Sequence, residues 1–237
     1  MDDLKINKTI LWIGSGYAVL VSALYLWGYW GRFGLNFLEY IGLGDMVRYA
    51  VIPVVLSLAS VIFGYAFSEI NHGDLLPPGG GAETPIGRFG RRHWRLLLSL
   101  DMIAIALVGW FGPEPSRWFV MAFLMLPLAT SLTHLEYFIT LMPNPKVRAV
   151  MLEAPVLLAV MAFAAGRNNA FFLLRDGGPV LVDVAGSGLN LQSNKGHPVS
   201  YVGHLANFFI VYESATSHLV ILRADKVDSL VLVQNPK

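Results

Sequence analysis

Residues 9–31 form a stretch without a single charged side chain, and this stretch most constrains what the chain can fold into. An α-helix rises about 1.5 Å per residue, so the stretch is long enough to cross the ~30 Å hydrocarbon core of a bilayer. Trp12 and Trp30 lie near its two ends, where aromatic rings suit the membrane–water interfaces. We therefore predict a retained membrane-spanning helix over residues 10–30. Several of its glycines would permit close approach of another helix: Gly14, Gly16, Gly28 and Gly31.

Further apolar stretches predict a polytopic α-helical membrane domain. The additional spans are predicted at residues 49–67, 96–112, 118–135 and 149–165. The fourth of the five spans contains Pro127, which is expected to kink it, and its apolar sequence allows an extension to Leu141. The fifth contains Glu153, and a charge inside a span costs about 3 kcal/mol on insertion scales. This segment is either a true crossing or a re-entrant or surface segment, so four and five spans both remain open.

Two regions with more polar residues interrupt the apolar spans. Residues 31–48 mix apolar residues, glycines and single charges, a composition typical of a short amphipathic segment at the membrane interface. Residues 68–93 contain the run Pro-Pro-Gly-Gly-Gly, which disfavours both helix and strand. We predict a flexible loop for this second region.

After Gly166 the sequence changes character. Short β-branched or aromatic runs, separated by Gly-, Ser- and Asn-rich pieces, predict strands within residues 179–184, 201–212, 219–222 and 230–233. Four or five strands in a segment of this length favour a small antiparallel barrel or sandwich. We therefore divide the chain into a transmembrane helical domain, residues 1–166, and a C-terminal β domain, residues 167–237.

The order of elements near the C-terminus resembles that of small barrels of the Sm-like or SH3-like kind. A polar turn at residues 213–217 separates two apolar runs, and a short link at 226–229 leads into the last one. The resemblance covers roughly the last 60 residues and rests on no family-specific motif. It implies an assembly or partner-binding module. An Sm-like layer behind a membrane domain is also similar to small mechanosensitive channels, but the glycine- and alanine-rich pore helix of that family is not evident here.

The composition excludes several kinds of function. Hydrophobic residues make up 55% of the chain and charged residues 14%, against about 25% charged in soluble domains. The net charge of +1 provides no basic field for nucleic acid. There is no cysteine and no His-Glu-x-x-His pair, so disulfides, cysteine-ligated zinc, iron–sulfur clusters and that zinc motif are excluded. We predict no cofactor, no metal and no enzymatic activity.

Basic residues predict the orientation in the membrane. The positive-inside rule places the loop before the third span in the cytoplasm because of its basic cluster, Arg88, Arg91, Arg92 and Arg95. If every segment crosses, further basic residues fall on that side: Lys5, Lys8, Lys146 and Arg148. The short loops of the opposite side then carry Arg32, Arg48 and Arg117. We expect a cytoplasmic N-terminus, with the β domain outside if there are five crossings and cytoplasmic if there are four.

Asp101 is the first candidate for chemistry inside the membrane. It lies a short way into the third span, where a carboxylate should face protein or water and not lipid. One interpretation is an ion- or proton-handling group that lines a pore. The other is a structural group near the interface that pairs with a preceding arginine or with another helix.

The end of the fourth span and the fifth span supply the other polar candidates. Thr130, Thr133 and His134 share a helical face, which would line a polar cavity or bond across helices. In the alternative, the hydroxyls bond to their own helix and His134 only marks the approach to the headgroups. Glu153 would complete an intramembrane polar cluster with Asp101 and His134 if the fold brings the three together.

These features favour a homo-oligomeric membrane protein that forms or gates a channel or sensor assembly, with the β domain as its assembly or sensing module. The alternative is a non-conducting scaffold or signalling component, for instance of a bacterial stress or defence system, that recruits a protein partner through the β domain. A lipid-modifying enzyme is disfavoured because no catalytic constellation is evident. The lipid bilayer is the expected environment, nucleic acid is not an expected partner, and the expected location is the bacterial inner membrane.

Overall fold

The computed structural model describes residues 2–42, 44, 46, 85–176, 180–185, 199–213, 216 and 218–233. Its helices are α1 Asp2–Gly31, α2 Pro85–Phe111, α3 Ser116–Thr133, α4 Glu136–Leu141 and α5 Pro145–Asp176. Its strands are β1 Val180–Ala185, β2 Val199–Leu205, β3 Phe208–Glu213, β4 His218–Arg223 and β5 Ser229–Val233. Short 3₁₀ helices lie at Phe37–Glu39 and Ala224–Lys226. The predicted second span and most of the predicted loop 68–93 lie outside the described residues.

Three described helical segments are long and apolar enough to cross a membrane. They are Arg92–Phe111, Ser116–Thr133 and Val150–Arg175. Few of their side chains are buried inside the protein, so their apolar surfaces suit contact with lipid. The predicted class, a helical membrane protein, is confirmed by the length and composition of these helices. The number of spans stays a prediction. The uncharged stretch 9–31 falls within α1.

The helix ends differ from the predicted ones in several places. Helix α2 already begins at Pro85, so residues 85–93, predicted as the end of the flexible loop, are helical. Helix α3 ends at Thr133, and Leu135 has extended backbone angles before α4 begins, so the fourth span does not continue to Leu141 as one helix. Helix α5 runs past residue 166 to Asp176, so residues 167–176 belong to the helical part of the chain. The sequence after Asp176 begins Gly-Gly-Pro, which is a stronger stop signal than the lone Gly166.

Helices α1 and α5 pack closely and run in the same direction. The Tyr17 hydroxyl donates a hydrogen bond to the Pro155 carbonyl oxygen, at 2.7 Å, near the start of the shared interface. Further along both helices, a Cβ on Gly28 would collide with the Phe163 carbonyl oxygen, and one on Gly166 would lie 2.9 Å from the Tyr29 nitrogen. Glycine at both positions lets the two backbones approach more closely than any side chain would permit.

The C-terminal strands form an antiparallel sheet in the order β4-β3-β2-β1-β5. The run predicted over residues 201–212 is divided into β2 and β3 by a tight turn at Ala206 and Asn207, and Ala206 has a φ of 46°. Positive φ at such a turn matches the twist of a hairpin. An antiparallel β region is therefore confirmed. A closed barrel remains a prediction, because no pairing between β4 and β5 is among the described strand pairings.

The sheet shares its hydrophobic core with the end of α1. Buried residues from α1, from the segment that follows it and from strands β2 and β3 form one cluster: Leu26, Trp30, Phe37, Ile41, Met46, Val202, Leu205 and Ile210. The Trp30 ring lies against Gly203, where a Cβ would approach the indole to 3.1 Å. The Tyr29 hydroxyl donates to the Val202 carbonyl oxygen at 2.7 Å. The predicted interfacial segment thus buries several of its apolar side chains between α1 and the sheet.

Candidate functional site

The described part of the chain brings charged side chains together at the link between α2 and α3. Glu114 lies in this link between two prolines, whose fixed φ angles and missing N–H groups keep the link out of the flanking helices. Gly112 permits the turn, because a Cβ there would lie 2.7 Å from the Arg117 Cβ. The turn places the Glu114 carboxylate beside the ends of two other helices.

Three arginines from three different segments surround the Glu114 carboxylate. Arg167 of α5 donates from Nη2 to Oε1 at 3.1 Å, and Arg117 of the first turn of α3 donates to the same oxygen. Arg32, directly after α1, places Nη1 3.0 Å from Oε2 in an ion pair. One carboxylate therefore connects α1, the α2–α3 link and α5. We call these four residues, together with Trp118, the Glu114 cluster.

The Glu114 cluster is largely withdrawn from water and has surplus positive charge. The Glu114 side chain is 15% exposed, against 19% for Arg167, 21% for Arg117 and 34% for Arg32. Burial alone would raise the pKa of Glu114, but the Arg167 hydrogen bond and the three guanidinium charges outweigh it and lower the pKa below 4.5. Three cations against one anion leave a formal surplus of two positive charges.

Trp118 completes the cluster on its apolar side. The guanidinium carbons of Arg117 and Arg167 lie 5.0 and 5.8 Å from the centre of its ring, within cation–π range. Phe163 packs edge-on against the same indole with ring centres 4.9 Å apart. The indole thus holds two of the arginines between an aromatic surface and the Glu114 carboxylate.

Several buried N–H groups of the cluster have no hydrogen-bond acceptor among the described residues. They are Nε of Arg117, Nε of Arg167 and Nε1 of Trp118; the buried Oε2 of Glu114 likewise has no hydrogen-bond partner among the described residues. A buried donor without an acceptor costs about 1–3 kcal/mol, so such groups are uncommon in proteins. Surplus cations and unused donors suit an oxyanion. Within the described residues no group of three His, Asp or Glu side chains is placed to hold a metal ion.

Asp101 lies on the face of α2 that packs toward α3. Ile105, one helical turn further on, is buried, and Gly109, two turns on, lies next to Met121 of α3. The Asp101 side chain is half-buried, and its buried Oδ2 has no hydrogen-bond partner among the described residues. Neither of the two interpretations made from the sequence is decided by this placement.

The remaining polar candidates are dispersed. The buried Thr133 hydroxyl donates to the Thr130 carbonyl oxygen at 2.7 Å, while Thr130 itself is exposed. His134 is exposed and caps the end of α3, and Glu153 is half-buried in α5. No described hydrogen bond or ion pair joins either residue to Asp101.

The basic cluster lies along the first half of α2, which is kinked at His93. Arg88, Arg92 and Arg95 are exposed, and Arg95 lies over the Trp94 ring at 5.5 Å; the Arg91 side chain is outside the described set. Exposed arginines next to a tryptophan at the beginning of an apolar helix suit a membrane interface.

Sequence reasoning did not select Glu114 or Arg167 as site residues, and it used Arg32 and Arg117 only to predict orientation. A usable signal was present. Glu114 stands three residues before Arg117, a spacing at which opposite charges can meet. What the sequence does not contain is the proximity of Arg32 and Arg167, which are far apart along the chain.

Comparisons with known proteins provide no further guide. No protein-family model, no curated protein and no solved structure matches this chain. The function therefore has to be argued from the geometry of its own residues.

Proposed function

We propose that this chain is a membrane-embedded sensor or scaffold whose C-terminal sheet is fixed to helix α1. The supporting observation is the hydrophobic core that Leu26 and Trp30 of α1 share with Val202, Leu205 and Ile210 of the sheet. Burial of large apolar side chains on both sides favours one fixed arrangement of helix and sheet. A change at the sheet, such as the binding of a protein partner, is then passed to the membrane helices.

The coupling extends beyond α1. Because Gly28 and Gly166 bring α1 and α5 into backbone contact, a displacement of α1 moves α5 with it. The Glu114 cluster joins both helices to the α2–α3 link. The path from the sheet to the membrane helices therefore runs through close-packed or ion-paired contacts.

A non-conducting function is favoured because several of the described polar groups find their partners within the protomer. The hydroxyls of Ser131 and Thr133 donate to carbonyl oxygens of their own helix, so they need no water-filled pore. Glu114 is surrounded by arginines of the same protomer.

Distances between two spin labels test the fixed arrangement. The chain has no cysteine, so Leu20→Cys in α1 and Val231→Cys in β5, both at exposed positions, accept labels selectively. We expect one narrow distance distribution in the protein reconstituted in lipid. Trp30→Ala should broaden it, because the indole that contacts the sheet is lost. Trp27→Ala, which removes an exposed indole from the same helix, should leave it narrow. A broad distribution without either substitution contradicts the proposal.

The directions of the helices favour five crossings. Helices α1 and α5 run in parallel, and the short link around Glu114 makes α3 return alongside α2. If α1 crosses outward, α5 does so too, and the sheet that follows it lies outside with a cytoplasmic N-terminus. The Glu114 cluster, at the outer ends of α1 and α2, would then face the same side as the sheet. A bacterial inner membrane remains the proposed location.

A homo-oligomeric channel is the second candidate, and Asp101 favours it. The buried Oδ2 of Asp101 has no hydrogen-bond partner among the described residues, and such an oxygen in a membrane-capable helix is costly unless another subunit, an ion or water contacts it. In proteoliposomes a channel predicts ion flux that Asp101→Asn alters in rate or selectivity. Glu153→Gln tests the other intramembrane carboxylate, and Glu136→Gln is the control at an exposed carboxylate. Absence of flux under voltage, tension and pH steps, with a folded protein, favours the scaffold instead.

A further inference from the structure

We infer that the Glu114 cluster is a binding site for a phosphate group, carried by the headgroup of an anionic phospholipid or present as free phosphate. The inference rests on the charge balance and the unused hydrogen-bond donors of the cluster, so it does not depend on the sensor or scaffold function proposed above.

The charge balance of the cluster is the first argument. Arg32, Arg117 and Arg167 share one carboxylate, and no other described acidic side chain forms an ion pair with any of them. A cation surplus in partly buried surroundings is screened less by salt than an exposed one. A phosphate oxyanion neutralises this surplus and offers oxygens on several sides, which matches the forked geometry of guanidinium groups.

The unused donors are the second argument. Arg117, Arg167 and Trp118 each have a buried N–H group without an acceptor among the described residues. Glu114 does not satisfy these donors as it is placed: its Oε1 already receives two hydrogen bonds, and its buried Oε2 is ion-paired with Arg32 but receives no hydrogen bond from any of the three. Phosphate oxygens placed among the arginines would supply them, and this would offset the cost of burying the donors.

The position of the cluster supports a headgroup as one source of the phosphate. The α2–α3 link lies between Phe111 and Ser116, which are the ends of two membrane-capable segments, so it lies at the level where phospholipid phosphates occur. Trp118 adds the indole typical of that level. Arg32 is the most exposed of the three arginines, so a ligand approaches the cluster past its side chain.

Thermal unfolding of the purified full-length chain in a neutral detergent tests the inference in two arms. One arm adds potassium phosphate, with potassium chloride at equal ionic strength as its control. The other adds phosphatidylglycerol, with phosphatidylcholine as its control. We expect a saturable rise in the unfolding midpoint in at least one arm and none in its control. A response to phosphatidylglycerol alone identifies the lipid headgroup as the source, and a response in both arms identifies phosphate in either form.

Two variants and a control distinguish a binding site from a structural ion-pair cluster. Glu114→Gln removes the carboxylate that competes for the arginines, so it should bind the active ligand about tenfold more tightly. Arg32→Gln should bind it about tenfold more weakly. Arg175→Gln removes an exposed arginine from the same helix as Arg167 and should leave the affinity unchanged.

Several results would overturn the inference. One is the absence of a saturable response in both arms, and another is an equal response to phosphatidylcholine and phosphatidylglycerol. A third is a folded Glu114→Gln protein whose affinity is unchanged or lower. If Glu114→Gln does not fold, Arg32→Gln decides: retained affinity contradicts the inference, and lost affinity with intact circular dichroism supports it.

Discussion

Glu114→Gln should lower the free energy of unfolding by about 2–4 kcal/mol, because it leaves three guanidinium groups close together without their anion. The amide keeps the size of the side chain, so the loss reports charge and not packing. Reversible unfolding in mixed micelles, followed by tryptophan fluorescence, measures the change. Glu136→Gln, at an exposed carboxylate on α4, is the matched control and should change stability by less than about 0.5 kcal/mol.

The contribution of the Glu114 carboxylate to the free energy of unfolding should also depend on pH. The pKa of Glu114 is lowered in the folded protein from its usual 4.5, so its stabilising effect is fully present above pH 4.5. The effect is lost as the pH falls through the lower folded value, because the carboxyl group then becomes neutral. The stability difference between the native chain and Glu114→Gln should therefore shrink below pH 4.5. A difference that stays constant down to strongly acidic pH would contradict the ion-pair explanation.

Gly166→Ala should destabilise the packing of α1 on α5 by about 3 kcal/mol, near the upper end of overpacking effects. The new methyl group would collide with the Tyr25 carbonyl oxygen and lie 2.9 Å from the Tyr29 nitrogen. Backbone atoms of a facing helix cannot rotate away as a side chain does, so the two helices must separate. Unfolding in mixed micelles measures the loss.

The control for this prediction lies in α1 itself. A Cβ on Gly16 would meet nothing within 4 Å, so Gly16→Ala should leave stability unchanged or raise it by up to about 1 kcal/mol through helix propensity. Equal effects at Gly16 and Gly166 would show that the loss does not arise from the contact between α1 and α5. Gly28→Ala, on the other side of the contact, should behave like Gly166→Ala.

The membrane helices were predictable because their signal is local. An apolar run of about 20 residues that crosses a membrane has to be helical, since unpaired backbone groups are too costly in hydrocarbon. The early end of α3 was harder to predict. The break at Leu135 depends on backbone angles that an apolar sequence does not specify, so the sequence left an extension of the helix to Leu141 open.

The candidate site was harder to predict from the sequence, because its residues come from distant segments of the chain. Arg32 and Arg167 meet at Glu114 only through the α1–α5 packing, which depends on Gly28 and Gly166. The sequence pointed to Gly28 as a place for close helix approach, but also to Gly14 and Gly16, where a Cβ would meet open space. The local sequence pattern thus identified glycine as the residue type that permits close helix contact, but it did not show which glycines make the contact between α1 and α5.

By itself the sequence determined that this chain has an apolar helical membrane part and a C-terminal antiparallel β part. Both follow from hydrophobic periodicity and from the length of the uncharged runs, which are properties of neighbouring residues. Only the tertiary structure decided that the end of α1 shares a core with the sheet and that one carboxylate gathers three arginines. The physical reason is that shape complementarity and charge pairing act between residues distant in the chain, and no periodicity records which distant residues meet.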